Sequence, residues 1–330
     1  MRVIISRLRG GLTPLIVATV LLALFPVIGM PQAWLLYLFL FFIYLALANM
    51  WNLLAGYCGL ISLCQPAFIG LGGYTLAILV WISVPIYLGI IAGAIVAALF
   101  AIIISTPVFR LSGIYFAIGT LIVPEILRII FLIWRPVGGV LYGKGAGYAV
   151  KGATLVSSAE SYWLALIICI VSVLCMRYIL RSNLGLGLAA VRDNVSTAAS
   201  SGINVFKLKF YSFIISASIT GLAGAVFYIS QGFIEPTSAF NVKWTMILVL
   251  ATVIGGIRIE EGPAVGAVIV VILHFFLARY GGASLLIQGI ILVTIMLLAP
   301  QGIMGSIRRA VGLQSFRTML RLTAKRGNRP

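Results

Sequence analysis

The chain holds 330 residues, 62% of them hydrophobic and only 9% charged, with a mean hydropathy of +1.18. A water-soluble domain carries about a quarter charged residues, and a disordered chain pairs low hydropathy with high charge, so both classes are excluded. What remains is an all-α polytopic membrane bundle with room for about ten spans of about 20 apolar residues each. Its net charge of +17 reads as the positive-inside bias of membrane topology, not as a nucleic-acid footprint.

In chain order the apolar runs predict spans at Thr13–Met30, Ala33–Leu54, Leu60–Ile82, Tyr87–Val108, Gly113–Ile133, Tyr162–Leu180, Phe210–Ser230, Trp244–Ile257, Ala264–Tyr280 and Leu285–Ala299. Arg2, Arg7 and Arg9 ahead of the first run resemble the start of a signal peptide. No small-residue cleavage site follows, so the run is expected to stay as a span. The run from Trp244 is short for about 30 Å of hydrocarbon, and a broken or re-entrant helix is the alternative there. An even span count with both termini cytoplasmic keeps most basic residues inside, among them Arg110, Arg177, Arg181, Arg192, Lys207, Lys209, Arg258 and the tail from Arg308 to Arg329. The expected layout is a transmembrane domain over 1–305, containing a cytoplasmic loop at 181–209, and a basic cytoplasmic tail at 306–330 resting on anionic lipid.

Two hydrophilic segments interrupt the pattern. Arg135–Ser161, rich in glycine, suits an outer loop or a cap near a substrate entrance. Within the inner segment, Leu188–Ser200 is rich in alanine, carries Arg192, Asp193 and Asn194, and is followed by Gly202, where a helix can end. That pattern predicts a short polar helix on the cytoplasmic face, a handle for a partner.

Catalytic constellations are missing from this pattern. His274 has no carboxylate within a helical turn, so neither a triad nor a metal site forms around it. No Gly-x-x-x-x-Gly-Lys-Ser/Thr string offers a nucleotide site, and Glu260-Glu261 beside Arg258 reads as a solvated ion cluster. Cys58, Cys64, Cys169 and Cys175 lie in apolar runs and read as small buried side chains. No catalytic residue, cofactor or metal is expected.

Polar residues within the spans carry more information, because charge in hydrocarbon is costly and faces a cavity or a partner. Glu125 and Arg128 share a helix face just after Pro124, which frees a carbonyl upstream; they read either as a structural pair or as groups beside a substrate path. Glu235 falls at the outer end of a span, solvated or recognising a docking protein. The stretch Gly56–Tyr74 packs small residues, Ser62, Gln65 and Pro66 into one run. Small residues allow close helix approach, while a proline-interrupted helix lines transporter cavities; both readings stand. Gly89-x-x-x-Gly93 and Gly262-x-x-x-Gly266 are further close-packing faces.

Together these strings resemble the LivM-type permease subunit of branched-chain amino acid ABC transporters. Asn52-Leu-Leu-Ala-Gly56-Tyr-Cys-Gly59-Leu-Ile-Ser62-Leu-Cys-Gln65-Pro-Ala67-Phe68-Ile-Gly70-Leu-Gly72-Gly-Tyr74-Thr75 is similar to that family's first signature. Gly113-Ile-Tyr115-Phe116 with Glu125-Ile-Leu-Arg128 follows its second, and Leu184–Asn194 with Gly202-Ile203-Asn204-Val205 its inner-loop pattern. The resemblance implies no catalysis in this chain. It implies a LivH-like second permease, two cytoplasmic ATP-binding subunits, an external substrate-binding protein, and an inner-membrane location. By the same resemblance Ala190–Gly202, with Arg192, Asp193, Asn194 and Gly202, is the helix that couples to the ATPase. Ser62, Gln65, Pro66, Tyr74, Tyr115 and Glu125 become candidates for the translocation path. Cys64 and Pro66 stand where the family carries Gly and Ala, Gly185-Leu-Gly187 lacks its basic residue, and Arg258-Ile-Glu260-Glu261 replaces a Gly/Thr-rich turn. The expected function is inward transport of branched-chain or other hydrophobic amino acids, with urea or short amides on the same architecture, or ion-coupled secondary transport, as alternatives.

Overall fold

A computed structural model of the chain describes residues 17–138, 144–277, 283–298 and 301–310. The predicted first span lies partly outside the described residues, as do Arg2, Arg7, Arg9 and the tail beyond 310; residues 17–24 are helical. Then follow α1 (Gln32–Asn52), a π-helical turn (Leu53–Cys58), α2 (Gln65–Trp81), α3 (Ile86–Val108), α4 (Ile114–Ile133) and α5 (Ser158–Arg181). Two short helices, α6 (Asn183–Asp193) and α7 (Val195–Ser200), lead into the 27-residue α8 (Val205–Gln231). After it come α9 (Pro236–Ala239), α10 (Val242–Gly255), α11 (Gly262–Leu277), α12 (Ala283–Leu298) and α13 (Gly302–Ala310). A two-residue pair, β1 (Tyr148–Ala149) antiparallel to β2 (Phe233–Ile234), is the one sheet among the described residues.

The all-α, polytopic class holds. Six helical stretches among the described residues are long and apolar enough to cross a membrane: Gln32–Cys58, Ile86–Val108, Ile114–Ile133, Ser158–Arg181, Val205–Gln231 and Pro236–Gly255. Four local expectations change. The third run is not helical from Leu60; α2 starts only at Gln65. Pro66 therefore opens a helix instead of interrupting one, at a first-turn position where its missing N–H costs nothing. The run expected from Trp244 starts earlier: α10 is unbroken from Val242 to Gly255, and the break falls ahead of it at Phe240–Asn241, after α9. The single polar helix expected over Leu188–Ser200 is two helices, because Asn194 is extended (φ −159°, ψ 113°) and caps the second.

The contacts divide the chain after Val249 into two units. In the first, α8 is the central post against which α1, α2, α3 and α5 pack. Its glycines Gly221 and Gly224, which have no side chain, explain how α2, α3 and α8 converge. A Cβ at Gly72 would collide with the Gly221 carbonyl, one at Gly224 with that of Ile69, and one at Gly93 would stand 2.9 Å from the Gly72 oxygen. At Gly72 the space of the missing side chain is thus filled by backbone, the packing that close helix approach requires, while Gly70 and Gly73 admit the Phe240 and Tyr228 rings. Around it, Phe68, Phe213, Leu53, Leu54, Cys58, Cys64 and Leu188 form a buried apolar core. At the opposite end of α8, the described part of the Gly-rich loop folds back as a cap. There β1 pairs with β2, the Trp81 indole donates to the Ala149 carbonyl at 2.9 Å, and the Lys151 ammonium sits 3.7 Å over the Trp81 ring.

In the second unit α13 packs on α11, and Gly262 and Gly266 meet the backbone of Gly256 and Ala251. Helix α13 runs through the expected 305/306 domain boundary.

Candidate functional site

The π-helical turn prolongs α1 past Asn52 and stops at Gly59, whose φ of +76° admits glycine readily. Such wide turns often mark functional positions. The next five residues carry no helix; Leu60, Ser62 and Cys64 are buried among the helices, Leu63 is half-buried and Ile61 is exposed. Their backbone is met by side chains from neighbouring helices. The Trp51 indole donates to the Ser62 carbonyl at 2.9 Å, the Leu63 N–H donates to Thr120 Oγ1 at 3.0 Å, and Thr245 Oγ1 donates to the Leu63 carbonyl at 3.4 Å. Ser62 Oγ and Cys64 Sγ are 3.1 Å apart. Irregular backbone at membrane depth survives only where protein or a water-filled cavity satisfies it, and here protein side chains do so. Pro124, inside α4, has no N–H for the Thr120 carbonyl, so it loosens the turn whose hydroxyl holds Leu63.

Gln65, fully buried, ties this stretch to the central post. Its Nε2 donates to Ser216 Oγ at 3.3 Å, its Oε1 accepts from Thr220 Oγ1 at 3.3 Å, and Ser216 Oγ donates to the Met50 carbonyl at 3.3 Å. Ser216 stands eleven residues along α8 from Val205, roughly 16 Å into the bundle at the α-helical rise. The candidates Ser62, Gln65 and Pro66 therefore converge on one buried polar locus.

Tyr74, Tyr115 and Glu125 stand elsewhere. Tyr74 belongs to an aromatic cluster toward the β1–β2 end, stacked on Phe240 at 5.8 Å and 4.4 Å from the Phe131 centroid. Tyr148 shares that cluster; burial raises its pKa while its hydroxyl donates to the Val137 carbonyl at 3.1 Å. Tyr115 and Glu125 occupy the exposed face of α4 with Ile118, Ile122, Ile126 and Ile129. Glu125 is paired by both Nε (2.9 Å) and Nη2 of Arg128.

At the other end of the bundle, the α6–α7 hairpin presents two different faces. Asp193, Asn194, Ser196, Thr197, Ser200, Ser201 and Gly202 are exposed. Asn194 Oδ1 accepts from the N–H groups of Ser196 and Thr197 at 3.0 and 3.1 Å, and Gly202 ends the hairpin at φ +79°. Arg192 turns the other way: its side chain is 13% exposed against 67% for Asp193. Sequence reasoning missed Trp51, Thr120, Ser216, Thr220 and Thr245. The signal available was Ser212, Ser216 and Thr220, each one helical turn from the next, in a run that also holds Ser218.

Residues 34–300 match the family described as the branched-chain amino acid transport system permease component. The chain belongs to that family. It is similar to the high-affinity branched-chain amino acid transport system permease protein LivM of Salmonella typhimurium, 27% identical over 308 residues that cover 83% of this chain and 70% of that protein. LivM of Escherichia coli is 26% identical over the same shares. The probable branched-chain amino acid transport permease protein LivH of Methanocaldococcus jannaschii is 29% identical over 134 residues, 38% of this chain and 42% of that protein. No solved structure matches. The permease is thus a multi-pass inner-membrane transport component and not an enzyme.

Proposed function

We propose that this permease moves branched-chain or other hydrophobic amino acids inward by alternating access, powered by two cytoplasmic ATP-binding subunits and fed by an external binding protein. The observation that carries the reading is the non-helical stretch Gly59–Cys64, in which Ser62 and Cys64 are buried and the Leu63 backbone is held by side chains, continuous with the buried polar locus at Gln65. Half-helix ends and unwound backbone offer hydrogen-bonding groups to a polar solute that regular helices withhold. A zwitterion crossing here exchanges its water for Ser62, Gln65 and Thr120 as these release Cys64, the Ser216–Thr220 pair and the Leu63 amide. The exposed surface of α6 and α7 is the docking handle for an ATP-binding subunit, and a rigid hairpin transmits its closure. The exposed α4 face, with Tyr115 and Glu125, lies against the second, LivH-like permease. A charged pair at membrane depth calls for a protein or aqueous neighbour, and the likeness to a LivH protein supports a partner built on the same plan.

Co-purification in gentle detergent followed by reconstitution tests this. Recovery of a second permease and two ATP-binding subunits, with ATP-dependent accumulation of leucine over urea and acetamide, is expected. Accumulation of urea or acetamide in preference overturns the substrate. Uptake by this chain alone under a proton or sodium gradient overturns the coupling.

A further inference from the structure

We propose that Arg192 is a positioning residue that caps the π-helical turn from outside and so sets the path of Gly59–Gln65, while its neighbour Asp193 is the side presented to a partner subunit. The inference rests on the proposed ATP-driven reading and adds to it where the hairpin's motion enters the bundle.

The last carbonyls of any helix lack intrahelical donors, and an arginine near them suits both the bare oxygens and the negative end of the dipole. The turn Leu53–Cys58 ends α1, and the guanidinium that reaches it comes from 136 residues away: Arg192 Nη1 donates to the Gly56 carbonyl at 3.5 Å. Asp193 Oδ1 takes the other side of the fork, accepting from Nε at 2.9 Å and Nη2 at 2.6 Å. With Nε and Nη2 both held on that one oxygen, Nη1 is left for Gly56, and charge-assisted bonds of this kind help to fix the guanidinium's orientation.

The same residue covers the hinge itself. A Cβ at Gly59 would lie 3.2 Å from Arg192 Cγ and 3.4 Å from its Cα, so α6 touches the point where helical backbone gives way to extended chain. Leu188, Val191 and Arg192 share one face of α6, at spacings of three and four, and the first two are buried. Displacement of α6 therefore carries the turn and Gly59 with it, and Leu60–Gln65 follow.

The test uses the full complex in vesicles, with hydrogen exchange on the purified chain as a second readout. For Arg192→Gln, solute moved per ATP is expected to fall several-fold while the ATP-binding subunits still co-purify. Exchange at Gly59–Leu63 rises about tenfold, the scale of one lost charge-assisted hydrogen bond. Arg192→Lys, which keeps a donor for Gly56, restores part of both. Unchanged exchange in Arg192→Gln, loss of co-purification, or no rescue by lysine overturns the proposal. Should the wild-type chain bind no ATP-binding subunit, the reading beneath it fails, and the exchange measurement still decides whether Arg192 caps the turn.

Discussion

At Gly72, α2 meets α8 backbone to backbone; earlier in the same run, at Leu63 and Gln65, the chain is held by side-chain hydrogen bonds with three other helices. The first contact has no slack, since a carbonyl oxygen occupies the space of the missing Cβ. The second is a set of single hydrogen bonds of 2.9 to 3.4 Å, each of which rotates away when one χ angle changes. A rigid seam beside a releasable stretch is what a bundle needs if one segment is to rearrange while the helices around it keep their places.

Breaking the seam has the largest expected effect. Gly72→Val places three carbons against the Gly221 carbonyl, where neither backbone can withdraw without parting α2 from α8. The expected outcome is loss of folded protein, checked by yield and size-exclusion profile in detergent. A normally folded Gly72→Val would show that the helices are not in backbone contact there. Next comes the releasable side. Gln65→Leu keeps the volume and leaves Ser216 and Thr220 short of a buried partner, which costs about 1–3 kcal/mol, measured by thermal unfolding in detergent. Thr120→Val removes the acceptor for Leu63 N–H and the hydroxyl's bond to the Ala117 carbonyl, at about 1 kcal/mol. Its sharper signature is faster exchange at the Leu63 amide with Gly72 unaffected.

The same two regions show how much the sequence could reveal. The spacing of Gly70, Gly72, Gly73, Gly89 and Gly93 marks close approach before any coordinate is known, because the absence of side chains is itself a local signal. Pro66 was legible as a break but not as a start: the deciding fact, that Gly59–Cys64 draws hydrogen bonds from Thr120 and Thr245, joins residues 57 and 182 positions away. Glu125 and Arg128 at a spacing of three were a pair in sequence and are one in the structure. Arg192 and Asp193, adjacent in sequence and ion-paired, differ in exposure because the Arg192 side chain lies against the π-helical turn, and that contact has no sequence-local trace.

The smallest effect separates a cap that only holds from a cap that also links. Ser157 and Glu160 form a reciprocal box at the start of α5, readable in the sequence as Ser-x-x-Glu, with bonds of 3.1 and 3.2 Å. Asn194 caps α7 by the same chemistry at 3.0 and 3.1 Å. Replacing either by alanine costs about 1 kcal/mol of stability, a shift of a few degrees in thermal midpoint. Their transport phenotypes should differ. Ser157 lies at the β1–β2 end, so Ser157→Ala is expected to leave ATP-driven uptake at the wild-type rate. Asn194 caps α7 where it leaves α6, so under the proposed ATP-driven reading Asn194→Ala lowers uptake per ATP hydrolysed at equal stability. Equal uptake by the two variants in the same vesicle preparation would mean that the Asn194 cap carries no part of the transmission.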